Sequence, residues 1–136
     1  MFGDTDYDDL FFAITDNDLP TTRMLLINRA NPNVQYPLNR YPITIAQTPE
    51  IVSLLISYGA NPNIIYRGGT RLHREADPEV IEALLRGGAD PYVLNANGLT
   101  AIEANPRIER ILNRINIEII RGLLPDNIFD MIRDFL

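Results

Sequence analysis

One histidine, no cysteine and no lysine set the limits on the chemistry open to this chain of 136 residues. A His-based metal cluster or a Ser-His-Asp triad would rest on His73 alone. The absence of Cys removes disulfides, thiolate metal sites and a Cys nucleophile. Asp4, Asp6, Asp8 and Asp9 form an acidic cluster that would suit a cation or a basic partner. Ahead of a helix start, the same charges complement the macrodipole. Gly68-Gly69 and Gly87-Gly88 lie in no Gly-x-Gly-x-x-Gly or Walker pattern, so no phosphate loop is present. No pair of carboxylates stands out for acid–base work. Arg107, Arg110, Arg114 and Arg121 share part of one helix face, either a solvated face or a docking stripe for an acidic partner. These residues point to binding: no enzyme activity, no catalytic residue, no cofactor and no metal are expected.

The elements that must position such residues are written three times. Ala30-Asn31-Pro32-Asn33, Ala60-Asn61-Pro62-Asn63 and Ala89-Asp90-Pro91-Tyr92 follow one another at intervals of 30 and 29 residues. Each closes an aliphatic run: Met24-Leu25-Leu26, Leu54-Leu55-Ile56 and Ala83-Leu84-Leu85. A period of this size marks stacked units that cannot bury their apolar faces alone. Helices are predicted in pairs over Asp6–Thr15 and Thr21–Arg29, Pro42–Gln47 and Glu50–Tyr58, and Arg71–Ala76 and Glu79–Arg86. A fourth unit opens at Asn97-Gly98-Leu99-Thr100, its second helix running from near Pro106 to about Arg121. Thr48-Pro49, Asp77-Pro78 and Asn105-Pro106 each set a capping side chain before a proline at the first helical position. Gly59 and Gly87-Gly88 supply left-handed stops.

This alternation of turn, short helix, longer helix and Gly-Ala-Asp/Asn loop resembles the ankyrin repeat. Thr70-Arg71-Leu72-His73 is similar to that family's Thr-Pro-Leu-His helix start, with Arg in place of Pro. Thr100-Ala101-Ile102-Glu103 and Tyr41-Pro42-Ile43-Thr44 are weaker copies. The closing motif recurs in Leu54–Asn63 and Leu84–Pro91. The units are shorter than the family's usual length of about 33 residues. The expected fold is all-α: an ankyrin-repeat solenoid of about four short, divergent units over residues 1–121, followed by a C-terminal helix over 122–136.

The resemblance implies a protein-binding module working through turn tips and first-helix faces. On this chain those are Tyr36, Leu38, Arg40 and Tyr41; Ile65, Tyr66, Arg67 and Arg71; and Arg74, Tyr92, Leu94 and Asn95. Tyr and Arg are favoured at interface hot spots. Tyr36, Tyr66 and Tyr92, spaced by 30 and 26 residues, are expected along one edge; ordinary packing between neighbouring turns is the alternative. The family's helix-start His hydrogen-bonds neighbouring backbone, which gives His73 a structural role. Asn33 and Asn63 match the loop Asn that the family presents to an asparaginyl hydroxylase, with Leu25 and Leu55 eight residues upstream; a turn Asn making local bonds is the other reading.

The last fifteen residues carry a second, fainter resemblance, to F-box-like segments that open Leu-Pro-x-x-Ile-x-x-x-Ile-x-x-x-Leu. The matching positions are Leu124, Pro125, Ile128, Ile132 and Leu136. Ankyrin proteins of poxviruses can end in such a segment, which recruits a host ubiquitin-ligase adaptor. The same helix would also seal the open end of a repeat stack. All 12 basic residues are Arg. Lysine absence is either drift or avoidance of lysine-directed modification, ubiquitin above all.

Net charge is −6, which disfavours nucleic acid as a partner. No apolar run approaches the roughly 20 residues of a membrane span. Met1 to Asp9 is acidic, unlike a signal peptide. The expectation is an intracellular protein of cytoplasm or nucleus, monomeric when free. It binds and inhibits a regulatory protein, a host factor if the source is a virus. An adaptor to a ubiquitin ligase and a subunit of a larger assembly are the alternatives.

Overall fold

The computed structural model describes residues 7–136, so Asp4 and Asp6 of the acidic cluster lie outside the described residues. Helices α1 (Asp9–Thr15) and α2 (Leu19–Ile27) form the first pair. Asp8 caps α1, its Oδ1 accepting the Phe11 amide at 2.9 Å. Asp18 caps α2 by accepting from Thr21 at 3.1 Å. That cap starts α2 two residues earlier than the predicted Thr21, with Pro20 inside its first turn.

The second pair is α3 (Pro42–Ile45) and α4 (Pro49–Ser57). In the third unit the predicted helix over Arg71–Ala76 is one 3-10 turn, Arg71–His73, followed by α5 (Pro78–Arg86). Two effects stop it there. Glu75 Oε1 accepts the amides of Ala76 and Asp77 at 3.1 and 3.0 Å, and helical geometry is disfavoured for the residue before Pro78. The same pre-proline restriction at Thr48 accompanies the early end of α3.

The fourth pair is α6 (Ala101–Ala104) and α7 (Arg107–Leu123). Here the expected Asn105 cap is absent. Asn105 is buried and turns back to the previous unit, its Nδ2 donating to the Glu75 carbonyl at 2.6 Å. Pro106 takes the cap position without a side-chain bond. Since α7 runs to Leu123, the expected boundary between 121 and 122 falls inside its last turn. Helix α8 (Asp126–Ile132) and a 3-10 turn (Arg133–Phe135) follow.

The pairs stack in order. Second helices touch in sequence, α2 on α4, α4 on α5 and α5 on α7, while α1 meets α3 and the 3-10 turn meets α6. One continuous core runs through the stack, from Leu10 and Ile14 through Leu55 and Leu84 to Ile108 and Ile115. Leu55 and Leu84 hold the same place in successive units, and neither exposes any surface. Burying each contributes about 2 kcal/mol. Among the described residues no strand forms and no helix is long and apolar enough to cross a membrane.

Helix stops fall in register: Gly59 at φ +99° and Gly88 at φ +97° precede Ala60 and Ala89. Before Ala30 the same left-handed position is held by Arg29, at φ +71°, a strained conformation for a residue with a side chain.

Candidate protein-binding surface

The loops after the second helices are tied to one another by asparagine. Asn33 Nδ2 donates to the Gly59 carbonyl at 2.9 Å, and its Oδ1 accepts the Asn61 amide at 2.8 Å. Asn63 Oδ1 repeats the second bond one unit on, accepting from Asp90 at 2.7 Å. Tyr92 stands at the third such position, is exposed, and ends the ladder. Asn33 and Asn63 thus hold neighbouring repeats in register.

Beyond each loop the chain makes a tight hairpin turn. Tyr36 and Arg40 exchange backbone bonds at 2.7 and 3.3 Å; Tyr66 and Gly69 do so at 2.8 and 3.2 Å. Asn95 donates to Leu99 at 2.8 Å. Leu38 and Asn39 lie at positive φ in the first turn, Arg67 and Gly68 in the second. The Ala96 amide donates to the Gly68 carbonyl at 2.7 Å, joining the second hairpin to the third.

Three predicted contact residues point inward, which corrects their expected place on the surface. Tyr36 is buried, its ring edge-on to Phe11 and its hydroxyl donating to Asp8 at 2.7 Å. Burial first, and Asp8 second, raise its ionisation well above the ordinary value of 10.0. Tyr66 is buried beneath the Arg74 guanidinium, 4.7 Å from the ring centroid. Arg71 is buried as well, donating to the Ile43 carbonyl at 2.6 Å and pairing with Glu75 at 3.0 Å. The expected row of three tyrosines fails on register. Counting from the loop, Asn95, not Tyr92, is the third member of the Tyr36 and Tyr66 series. Aligning the units on Asn33, Asn63 and Tyr92 gives this from the sequence; matching residue types does not.

Other predicted residues are partly committed. Arg40 donates to Tyr7 Oη at 2.8 Å and to the Pro37 carbonyl at 3.0 Å. Arg74 is exposed, but donates to the carbonyls of Tyr66 and Arg67 at 3.0 and 2.9 Å. Tyr41 is half-buried, its amide bonded to Thr44 Oγ1. Asn95 Oδ1 accepts from Asn97 and Leu99 at 2.9 and 3.0 Å. The open residues are Leu38, Ile65, Arg67, Tyr92 and Leu94. Leu38 is 74% exposed, Ile65 53% and Leu94 60%; these values decide that each of the three hairpins turns an aliphatic side chain to solvent. Ile65 and Leu94 occupy equivalent positions, one before Tyr66 and one before Asn95. Leu99, exposed on the third hairpin, adds a member that the sequence reading missed.

His73 serves the same scaffold. The Thr70 amide donates to its Nδ1 at 3.1 Å, so Nδ1 accepts and the proton sits on Nε2, which donates to the Leu99 carbonyl at 3.0 Å.

In the C-terminal segment, Phe129 is the buried residue, with the Arg121 guanidinium 5.4 Å from its ring centroid. The five predicted docking residues lie otherwise: Leu124 and Ile132 are half-buried, Pro125, Ile128 and Leu136 exposed. Leu123, Met131 and Phe135 add to this open apolar face.

No family model matches the chain. Over 67 residues it is 40% identical to ankyrin repeat and SOCS box protein 14 of Mus musculus, a match covering 45% of this chain and 11% of that relative. The crystal structure of the ankyrin repeat domain of Bcl-3, a unique member of the IkappaB protein family, superposes with a TM-score of 0.67. Identity there is 27%, covering 76% of this chain and 50% of that one. The chain has the ankyrin-repeat fold. The ankyrin scaffold is a protein-interaction module. The chain spans a ninth of the mouse relative and half of the solved domain, so their wider activities belong to longer proteins.

Proposed function

We propose that this ankyrin array binds a regulatory protein through its hairpin row and inhibits it by occlusion, without catalysis. The observation that carries this reading is the set of open aliphatics Leu38, Ile65 and Leu94, one on each hairpin, on a rigidly stapled scaffold. Exposed apolar side chains cost little in order when the backbone beneath is already fixed, so their burial on a partner is retained as affinity. Arg67 and Tyr92 flank the row and supply hydrogen bonding beside it. The protein acts inside the cell as a free monomer, on a host factor if its source is viral. The test is cross-linking and affinity recovery from cells, comparing the chain with a Leu38→Ser/Ile65→Ser/Leu94→Ser variant of unchanged helical circular dichroism. Loss of the recovered protein supports the reading. Identical recovery by both chains removes the hairpin row as the contact surface.

A second reading is an adaptor, in which the array holds a target and residues 124–136, as an F-box-like segment, engage a ubiquitin ligase. What favours it is the open face of Ile128 and Leu136, the absence of lysine, and a relative whose name joins ankyrin repeats to a SOCS box. Ile128→Ser/Leu136→Ser then loses ligase components while keeping the target. Their retention rules the adaptor out.

A further inference from the structure

The grooves between successive second helices carry opposite charge. Between α4 and α5 the lining is acidic: Glu50, Glu79 and Glu82, offset by Arg86, which Glu82 and Glu118 hold. Between α5 and α7 the lining is Pro78, Arg107, Arg110, Ile111 and Arg114, around a cavity of about 320 Å³. One carboxylate reaches these arginines, Glu82 on Arg114 at 3.0 Å. Among the described residues, Arg107 and Arg110 have no ion-pair partner. Two uncompensated guanidinium groups thus flank an apolar floor, on a chain whose net charge is −6.

We propose that the α5–α7 groove is a second docking site, for an acidic peptide segment of a partner protein that carries an apolar side chain between its carboxylates. Guanidinium groups bind carboxylates through paired, planar hydrogen bonds. Arg107, Arg110 and Arg114 share one helix face, so with a rise of about 1.5 Å per residue their stripe is about 10 Å long. In an extended peptide alternate side chains share a face, so carboxylates four residues apart, about 13 Å, reach the ends of the stripe and the apolar side chain midway between them lies over Ile111 and Pro78. The acidic groove next door repels the same segment, so charge selects between the two. Those neighbouring carboxylates also repel the continuous phosphates of a nucleic acid. None of these residues belongs to the hairpin row, and the site stands whether or not that row binds.

Fluorescence anisotropy of the full chain with a labelled peptide, Gly-Glu-Asp-Leu-Ala-Glu-Asp-Gly, tests the site. Saturable binding is expected, weakening with added salt. Charge reversal in Arg107→Glu/Arg110→Glu weakens it about tenfold or more, and replacing the peptide leucine by alanine weakens it further. Arg107→Gln/Arg110→Gln, neutral and solvent-facing, serves if the reversed variant does not fold. The Leu38→Ser/Ile65→Ser/Leu94→Ser variant binds the peptide as the parent does. Absent binding, or binding that neither Arg variant weakens, overturns the proposal. So does a single-stranded oligonucleotide that displaces the peptide at lower concentration. Light scattering that shows the chain self-associating through Arg107 and Arg110 overturns it too, by making a second copy the occupant.

Discussion

Asn33 and Asn63 look interchangeable in sequence but do unequal work. Asn33 makes two bonds to the next loop and Asn63 one. A net hydrogen bond is worth about 1 kcal/mol, so Asn33→Ala is expected to cost about 2 kcal/mol and Asn63→Ala about half that. Urea unfolding measures both, and equal losses would contradict the ladder. Tyr36 gives a pH-dependent counterpart. The folded chain keeps its phenol proton above the ordinary value of 10.0, because burial and then Asp8 disfavour the phenolate. The unfolded chain releases that proton near 10, so above that pH the native state binds more protons and stability falls as pH rises. The contribution is complete below about pH 10 and is lost on going higher. Tyr36→Phe loses about 1 kcal/mol at neutral pH with the Asp8 bond, and its melting temperature then declines less steeply above pH 10. A parallel decline in both chains would show that Tyr36 ionises freely when folded.

Local signals placed most of the helices, and tertiary contacts decided the exceptions. Thr48 and Asp77 cap α4 and α5 as their sequences imply, because a cap needs only its own next turn. Asn105 reads the same way and yet bonds to carbonyls of the preceding unit, a choice that no local pattern contains. The surface was legible in outline only. Leu38, Ile65 and Leu94 emerge from turn positions, but the inward rotation of Tyr36, Tyr66 and Arg71 depends on Asp8, Arg74 and Ile43 contributed from elsewhere. Helix α8 shows the opposite balance. Its spacing of apolar residues marks Ile128 and Ile132, whereas its anchor is Phe129 against Arg121. Phe129→Ala is therefore expected to abolish amide protection over residues 124–136 in hydrogen exchange. The unfolding free energy of the array should move by less than about 1 kcal/mol, since α8 packs at one end of α7. If global stability drops together with local protection, α8 is part of the cooperative core.

Four thin units make a stack in which no unit carries a core of its own. The 3-10 turn of the third unit offers Leu72 as its single fully buried aliphatic side chain, and α5 relies on α4 and α7 for its cover. Coupling between neighbours must then exceed the intrinsic stability of any one unit, which in a repeat array produces all-or-none unfolding. Leu84 sits where that coupling is greatest, fully buried on α5 between both neighbours. Leu84→Ala is expected to cost about 2–5 kcal/mol, a large part of the roughly 5–15 kcal/mol available to a domain. The loss should appear as a single urea transition at lower midpoint, coincident by circular dichroism and by tyrosine fluorescence. Four of the six tyrosines, Tyr7, Tyr36, Tyr41 and Tyr58, lie in the first two units, so the fluorescence reports mainly that half and coincidence means that damage in the third unit unfastens the first. Two separated transitions, with the fluorescence change following the loss of part of the helical signal, would show that the array folds in blocks. The hairpin row would then span independently melting parts, and a partner bound across Leu38, Ile65 and Leu94 would stabilise them jointly.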